Sequence, residues 1–315
     1  MGFEPAELEM RPLVPNAAGS LQDEHGQTYR RCANGGKHGV CNWLLQPDDE
    51  NELCFACRFN RTIPNLTNPE NLTRWRKLEV AKKRLLYTLL RLGLPLHNSG
   101  ANGGIAFDFV EDIRSNPDLV DQDIKYTGYS NGIITVNVIE ADDAARESEK
   151  RAVNEQYRTL LGHLRHESGH HYFYQMLALP GEPDGFRGAF GDEQSDYRTA
   201  LDNHYAQGPA PDWRERCISA YASSHPIEDW AETWGHYLHI HDVLETAATH
   251  QVISEDVLSA TIDARISTWR ELSITLNELN RSIGHGDAYP FVVTSAVQDK
   301  LAYVDAAISR LRISP

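Results

Sequence analysis

The chain has 315 residues, which is enough for about two domains and a substantial buried core. Its 45 acidic and 30 basic side chains give a formal net charge of -15, which disfavours unaided binding to nucleic acid or to an anionic membrane. No basic start is followed by an apolar run, and no stretch approaches the roughly 18 apolar residues of a membrane span. We therefore expect an acidic cytoplasmic protein without a membrane partner.

Four of the five cysteines lie close together near the N-terminus, in a segment rich in Gly, Asn and Asp. In a reducing compartment, such a cluster more often binds a metal than forms disulfides. We expect a zinc ribbon over residues 1–60, which has too little core to fold without its metal. Its expected ligands are Cys32, Cys41, Cys54 and Cys57.

The spacing of these cysteines, Cys-x8-Cys-x12-Cys-x2-Cys, has the two-residue zinc knuckle only in its second half. His38 is therefore an alternative ligand in place of Cys32 or Cys41. The acidic balance of the ribbon favours a protein partner, or packing against a neighbouring domain, over nucleic acid. The fifth cysteine, Cys217, is expected to be a buried apolar residue.

The next predicted element is a helix from Thr73 to Leu92, with Trp and Leu at helical spacing and Gly93 to Pro95 at its end. Seven Arg and Lys side chains make it the basic part of an acidic chain. We interpret them as a solvated face, with a patch for an acidic partner or nucleic acid as the alternative.

Two extended segments follow, Ile105–Val110 and Gly132–Ile139, and the second alternates as a sheet strand does. Residues 142–179 then have a helical pattern, and another helix is predicted to begin near Pro226. The rest of the chain, beyond Ser254, is mostly helical in pattern.

Within the first of these helices, His166-Glu167-Ser168-Gly169-His170 has the HExxH pattern. Residues four apart share a helix face, so both imidazoles can bind one Zn²⁺ while Glu167 accepts a proton from a zinc-bound water. The small residues Gly162, Ser168 and Gly169 would allow another element to approach closely. These features predict a catalytic zinc site. A strand close before an HExxH helix, here Gly132–Ile139, is typical of zinc peptidases, whose edge strand pairs with an extended substrate.

A catalytic zinc has a third protein ligand and keeps a position open for water or substrate. Phe173 and Met176 stand where the spacing HExxHxxGxxH would require Gly and His, so the third ligand must come from elsewhere. Glu228 and Glu232 share one face of the helix predicted from Pro226 and are the best candidates. Their spacing alone does not choose between them.

The sequence from Glu228 to Glu232, EDWAE, resembles the ExxAE helix of gluzincin peptidases related to anthrax lethal factor. The zinc ligands that this resemblance implies are His166, His170 and Glu228. It also implies that Glu167 is the general base and that Tyr221, seven residues before Glu228, donates to the oxyanion of the tetrahedral intermediate. Glu232 would then orient a histidine ligand through its ring N–H.

Nearly the whole chain resembles a bacterial family of zinc-dependent metallopeptidases that carry an N-terminal zinc ribbon. The resemblance lies in the cysteines, in YRTLLGHLRHESGHHYF from Tyr157, in FGDEQSDY from Phe190 and in SSHPIEDWAETWGHYLHI from Ser223. It implies a gluzincin-like catalytic domain over residues 61–315, in a protein that is α+β and mainly helical.

Two polar residues near these motifs have less definite roles. Asp192 is expected to support His166 or His170, with a solvated loop position as the alternative. His225, just before the predicted ligand helix, could reach the cleft and assist with the oxyanion.

The expected function is zinc-dependent hydrolysis of a peptide or protein substrate, with one catalytic and one structural zinc in each chain. Two alternatives stay open, namely a non-catalytic protein-interaction module on a peptidase scaffold and an enzyme that hydrolyses a non-peptide amide. The intact Glu167 argues against the non-catalytic alternative, because a scaffold has no use for that carboxylate.

Overall fold

A computed structural model describes residues 1–15, 20–98, 103–116, 119, 126–152 and 159–312. The fold is α+β and mainly helical, as the sequence predicts. The chain divides into two compact units, Met1–Val153 and Asn154–Pro315, while the predicted domain boundary after residue 60 stays a prediction. In the described part of the chain, no helix has both the length and the apolar character that crossing a membrane requires.

Short antiparallel strands and one short helix form the beginning of the first unit. Its elements are β1 (Gly2–Glu4), β2 (Glu9–Arg11), β3 (Val14–Pro15), β4 (Leu21–Gln22), β5 (Thr28–Arg31), α1 (Ala33–His38) and β6 (Leu44–Leu45). Strand β1 pairs with β2, and β3 to β6 form a second sheet in chain order. One apolar cluster here consists of Leu21, Tyr29 and Leu44, with Leu13 packed against it.

The long helix of the first unit, α2 (Pro69–Arg91), begins four residues before the predicted start at Thr73. The side chain of Asn68 accepts a hydrogen bond from the Glu70 backbone N–H, and Pro69 suits the first turn. Both features favour the earlier start.

Several basic side chains of α2 lie inside the first unit. Lys82 is fully buried, and its ammonium lies 2.9 Å from the carboxylate of Glu79. Lys83 is also buried and donates to the backbone carbonyl of Val40 at 2.7 Å, while Arg74 is 6% exposed. The interpretation of these three residues as a solvated face is therefore wrong, because neighbouring oxygens compensate their charges within the fold.

A four-stranded sheet completes the first unit. Its strands are β7 (Asn60–Thr62), β8 (Ala106–Val110), β9 (Gly128–Ser130) and β10 (Ile133–Asn137), in the spatial order β7-β8-β10-β9. The predicted strand Gly132–Ile139 corresponds to β10 and the beginning of a 3₁₀ turn, Val138–Ala141. Strand β10 lies between β8 and β9 and is therefore not an edge strand. The expectation that it pairs with an extended substrate is wrong.

The predicted helix over residues 142–179 is divided in the structure. Helix α3 (Asp143–Ala152) belongs to the first unit, and α4 (Leu160–Leu177) begins after Thr159. The Thr159 hydroxyl accepts from the Gly162 backbone N–H at 2.9 Å and so caps α4. Residues 153–158, which belong to the predicted helix, lie outside the described part of the chain.

The second unit is built from helices. They are α4, α5 (Glu182–Phe190), α6 (Tyr197–Gln207), α7 (Trp213–Arg216), α8 (Pro226–Thr249), α9 (Ile262–Ser282) and α10 (Ser295–Leu311). Helix α8 begins at Pro226, which confirms the predicted start.

Helices α4 and α8 pack closely because the residues between them are small. A Cβ atom on Gly169 would lie 2.9 Å from the Cα of Ala231, closer than a real Cβ contact allows. The indole N–H of Trp230 donates to the Gly169 carbonyl at 2.8 Å, and that of Trp234 donates to the Ser168 hydroxyl at 3.0 Å. The close approach expected at Ser168 and Gly169 is thus confirmed, and it brings the HExxH face to the acidic start of α8.

Candidate functional site

The second unit brings His166 and His170 of α4 together with Glu228 of α8. One donor atom from each residue lies within 4.8 Å of the other two. The Nε2 atom of His166 is 3.1 Å from Oε2 of Glu228 and 3.2 Å from Nε2 of His170. The geometry therefore selects Glu228, which the sequence spacing did not distinguish from Glu232.

The proton positions explain why this cluster suits a cation. Glu232 Oε1 lies 2.7 Å from Nδ1 of His166, and because a carboxylate only accepts, that nitrogen is the donor. Without a metal, contact with the two carboxylates favours a second proton on His166; in the neutral ring that would bind a metal, Nε2 has a lone pair on the side of the Glu228 carboxylate. The buried Oε2 of Glu228 has no hydrogen-bond partner among the described atoms. Two imidazoles and one carboxylate form a donor set that Zn²⁺ prefers, so these residues fit the metal.

The electrostatics also favour positive charge at this position. Burial opposes the charged form of His166, yet its contacts with Glu228 and Glu232 raise the pKa well above the usual value. Burial likewise opposes ionised Glu228, but the two histidines hold its pKa well below the usual value. Against the effect of burial, contact with His166 lowers the pKa of Glu232 to about 2. Both carboxylates are therefore ionised at neutral pH.

Glu167 lies beside the cluster and has an unusual environment for a carboxylate. Its side chain is buried, and its Oε2 atom has no hydrogen-bond partner among the described atoms. An unpartnered buried carboxylate oxygen is unfavourable for folding, so an explanation other than stability is required. Acceptance of a proton from a reacting group is such an explanation.

Tyr221 begins a 3₁₀ turn, Tyr221–Ser224, just before α8. Its ring centroid lies 6.0 Å from that of His166, so the structure places the predicted oxyanion donor beside the cluster. Burial, followed by the charge of Glu228, raises the pKa of Tyr221, which keeps the phenol protonated. A protonated phenol is what the predicted role requires.

Tyr197 is a site residue that the sequence reasoning missed. It is the first residue of α6, and its hydroxyl donates to Oε1 of Glu228 at 2.6 Å. The segment FGDEQSDY, which contains it, carried part of the family resemblance. That signal could have led to Tyr197, but chain order does not show which polar residue of a segment reaches a carboxylate on another helix.

Two sequence-based expectations are not supported by the geometry. The Asp192 side chain is 67% exposed and accepts from the Gln194 backbone N–H, so the expected support of His166 or His170 is wrong. The ring of His225 accepts from the Ile227 backbone N–H through Nδ1, and its Nε2 lies 3.0 Å from the Ser195 carbonyl. His225 thus caps α8, and neither ring nitrogen is left for the expected role at the oxyanion.

A polar groove of about 260 Å³ lies between α6 and the 3₁₀ turn. Its lining includes Asn203, His204, Gln207, Ser223 and Ser224. The ring of His204 packs edge-on against that of Tyr221, with 5.9 Å between the centroids. The ring of Tyr221 thus contacts both His204 of the groove and His166 of the metal cluster.

A second cluster, in the first unit, consists of the four N-terminal cysteines. One sulfur from each lies within 4.8 Å of the others, and the sulfurs of Cys41 and Cys54 are 3.5 Å apart. A tetrahedral zinc with Zn–S bonds of about 2.3 Å separates its sulfurs by about 3.8 Å, so the four thiols fit zinc. His38 instead packs its ring against Trp75, with 5.5 Å between the centroids, so the alternative ligand is wrong.

The packing beside this cluster also explains why position 35, in α1, is a glycine. A Cβ atom on Gly35 would lie 2.2 Å from the backbone carbonyl oxygen of Cys41. The missing side chain allows the helix that follows Cys32 to approach the segment that carries Cys41.

Comparison with known proteins agrees with both clusters. Residues 71–307 match the family described as "Putative zinc-binding metallo-peptidase", and residues 1–68 match a zinc-ribbon domain. An uncharacterized protein of Mycobacterium bovis is 39% identical over 284 residues, which cover 86% of this chain and 80% of the relative. Uncharacterized proteins of two Mycobacterium tuberculosis strains, CDC 1551 and H37Rv, have the same identity and coverage.

No solved structure matches the chain. The family match spans most of the chain and includes both histidines and the glutamate of the metal cluster. The chain therefore belongs to the family of "putative zinc-binding metallo-peptidases", with a zinc-ribbon domain at its N-terminal end.

Proposed function

We propose that the protein is a zinc-dependent metallopeptidase that hydrolyses peptide bonds with Glu167 as general base. The proposal includes two zinc ions per chain, a catalytic one at His166, His170 and Glu228 and a structural one at the four cysteines. The observation that carries it is the buried Glu167 carboxylate with an unpartnered oxygen beside a His₂Glu cluster.

Zinc bound at this cluster would supply Lewis acidity, which polarises a substrate carbonyl and makes a water easier to deprotonate. Glu167 accepts the proton of the attacking water and then delivers it to the leaving amine. Glu232 holds His166 in the tautomer whose Nε2 faces Glu228. Tyr221 donates a hydrogen bond to the oxyanion of the tetrahedral intermediate.

The polar groove supports a polypeptide substrate. It lies next to Tyr221, and a side chain of an extended peptide can enter it while the scissile bond lies at the cluster. The asparagine, glutamine and serine side chains of its lining would hydrogen-bond to that side chain.

The substitution Glu167→Gln tests the proposed base. It preserves size but removes the basic carboxylate, so we expect zinc content and fold to be unchanged while hydrolysis falls by about 10²–10⁴-fold. Elemental analysis measures the zinc, and mass spectrometry of a peptide mixture measures cleavage. Glu255→Gln, at an exposed glutamate, is the matched control and should cleave as the wild type does.

Two outcomes would oppose the proposal. Full cleavage by the Glu167→Gln protein would remove Glu167 from the mechanism. A wild-type protein that holds zinc at the His₂Glu cluster but cleaves no peptide would favour the non-catalytic protein-interaction alternative.

A further inference from the structure

The two oxygens of the Glu228 carboxylate have different surroundings. Oε1 accepts the hydrogen bond from the Tyr197 hydroxyl at 2.6 Å and lies 3.5 Å from Nε2 of His170. Oε2 has no hydrogen-bond partner among the described atoms and lies 3.1 Å from Nε2 of His166. Oε1 thus already accepts a hydrogen bond from the protein, while Oε2 has only the Nε2 atom of His166 close to it.

The N-termini of two helices, α6 and α8, hold the Tyr197 side chain in this position. The side chain of Asp196 accepts from the Thr199 backbone N–H and caps α6, so the helix begins at Tyr197. The Tyr197 ring packs against the buried ring of His225, with 5.1 Å between the centroids. His225 in turn caps α8, the helix that carries Glu228. The capped N-termini of α6 and α8 therefore position the Tyr197 phenol against the Glu228 carboxylate.

A carboxylate can bind a metal through one oxygen or through both. A hydrogen bond to one oxygen uses its lone pair and withdraws charge from it, so the other oxygen becomes the better ligand. The burial of Glu228, which is 1% exposed, keeps water from competing with the Tyr197 hydroxyl.

We propose that Tyr197 is a positioning residue that restricts Glu228 to a single ligand oxygen, Oε2, and so keeps a coordination position of the metal free for the substrate. The inference rests on the proposed zinc site and adds a residue to it. Without the hydroxyl, Oε1 can turn towards the metal and occupy that position.

The test compares the full-length wild type with Tyr197→Phe and with Tyr205→Phe. Tyr205 lies on the same helix, is 67% exposed and is therefore the matched control. We expect Tyr197→Phe to bind zinc about 10–100-fold more weakly in competition with a chelator, because a group that orients a ligand is lost. Tyr205→Phe should bind as the wild type does.

Cobalt substitution gives a second readout that does not depend on activity. The visible absorption of Co²⁺ weakens as its coordination number rises, so we expect weaker absorption in Tyr197→Phe than in the wild type. The cysteine cluster lies in the other unit and contributes equally to every variant, so it cancels in the difference spectrum.

Each result has a definite meaning. Wild-type zinc affinity and an unchanged cobalt spectrum in Tyr197→Phe would overturn this inference and leave the proposed peptidase intact. A wild-type protein whose only zinc is lost with the cysteines would refute the His₂Glu site and this inference together. Tyr197→Phe could also lower the midpoint of thermal unfolding by the same amount with and without metal. That result would show that Tyr197 merely anchors α6, and it would overturn the proposal as well.

Discussion

Glu228 and Glu232 are the same residue type on one helix face, but they contact opposite nitrogens of His166. Glu228 faces Nε2 and has an oxygen without a hydrogen-bond partner in the described structure. Glu232 accepts from Nδ1 through one oxygen and from the Ser219 hydroxyl, at 2.5 Å, through the other. Glu232 therefore orients the imidazole, and Glu228 is the carboxylate that is available to a metal.

This difference predicts unequal effects of two alanine substitutions. Glu228→Ala should abolish zinc binding at the His₂Glu cluster, because a ligand is lost. Glu232→Ala should weaken the affinity by about 10–100-fold, because only the orientation and basicity of His166 change. Elemental analysis after dialysis against a graded chelator series measures both. A larger loss in Glu232→Ala would exchange the two assignments.

At the scale of elements, the cluster depends on the distance between α4 and α8. Gly169 faces the backbone of Ala231 and lies directly before His170. Aromatic side chains fill the space around this contact, and the rings of Tyr172 and Trp234 stack with 4.9 Å between their centroids. Any group added at Gly169 would push the two helices apart and move the histidines away from Glu228.

Gly169→Ala should therefore destabilise the protein by about 1–3 kcal/mol, even though alanine favours the helix, because the new methyl group meets backbone atoms. Gly188→Ala is the matched control, since Gly188 also lies within a helix and a Cβ there would meet nothing within 4 Å. In this control, the free energy of unfolding should rise by about 0.5–1 kcal/mol. Chemical denaturation measures both changes, and an unaffected Gly169→Ala protein would contradict the close packing.

At the scale of the whole molecule, the described residues of each compact unit contain one candidate metal cluster. The four cysteines lie in Met1–Val153, and the His₂Glu cluster lies in Asn154–Pro315. The ligands of one cluster are therefore not shared with the other.

Two zinc ions per chain are expected in the wild type, and one of them should be lost when Cys54 and Cys57 are both replaced by Ser. The remaining zinc should then be lost with Glu228→Ala. Elemental analysis of the purified variants measures the stoichiometry. If the cysteine variant loses both ions at once, the two sites are not independent.

Two histidines of α8, His236 and His239, make the stability of the whole molecule depend on pH. Burial lowers the pKa of His236 to about 4, and it holds the pKa of His239 well below its usual value, with a further contribution from the charge of Arg165. These folded-state pKa values are lower than the unfolded value of 6.5, so the unfolded chain binds more protons in acid. The stability that neutral histidines contribute is present above pH 6.5 and is lost as the pH falls towards 4.

His239→Phe should remove the contribution of His239 to this pH dependence, because phenylalanine does not titrate. The new ring can still pack beside Trp269 and Tyr289. We expect the slope of the unfolding free energy against pH, between about 6 and 4.5, to fall by roughly 1.4 kcal/mol per pH unit relative to the wild type. Denaturation at a series of pH values measures it. Since His239 is not a proposed ligand, metal release contributes equally to both proteins. Equal slopes would contradict a His239 that is neutral in the folded protein.

The parts of the site that sequence alone predicted are the local ones. The helix repeat places His166 and His170 on one face and Glu167 beside them, whatever the helix packs against. The cysteine cluster and the helix start at Pro226 were likewise readable from short segments. The same reasoning failed for Asp192 and His225, because polar residues near a motif in sequence need not face it in space.

The sequence by itself thus determined which residues could form metal sites, the two histidines and the glutamate of HExxH and the four cysteines, because these depend on residue type and short spacing. Only the tertiary structure decided that Glu228 faces Nε2 of His166, that Glu232 accepts from its Nδ1 and that the Tyr197 hydroxyl donates to Oε1 of Glu228. These contacts join residues 31 to 66 positions apart. They depend on how α4, α6 and α8 pack, which no local pattern specifies.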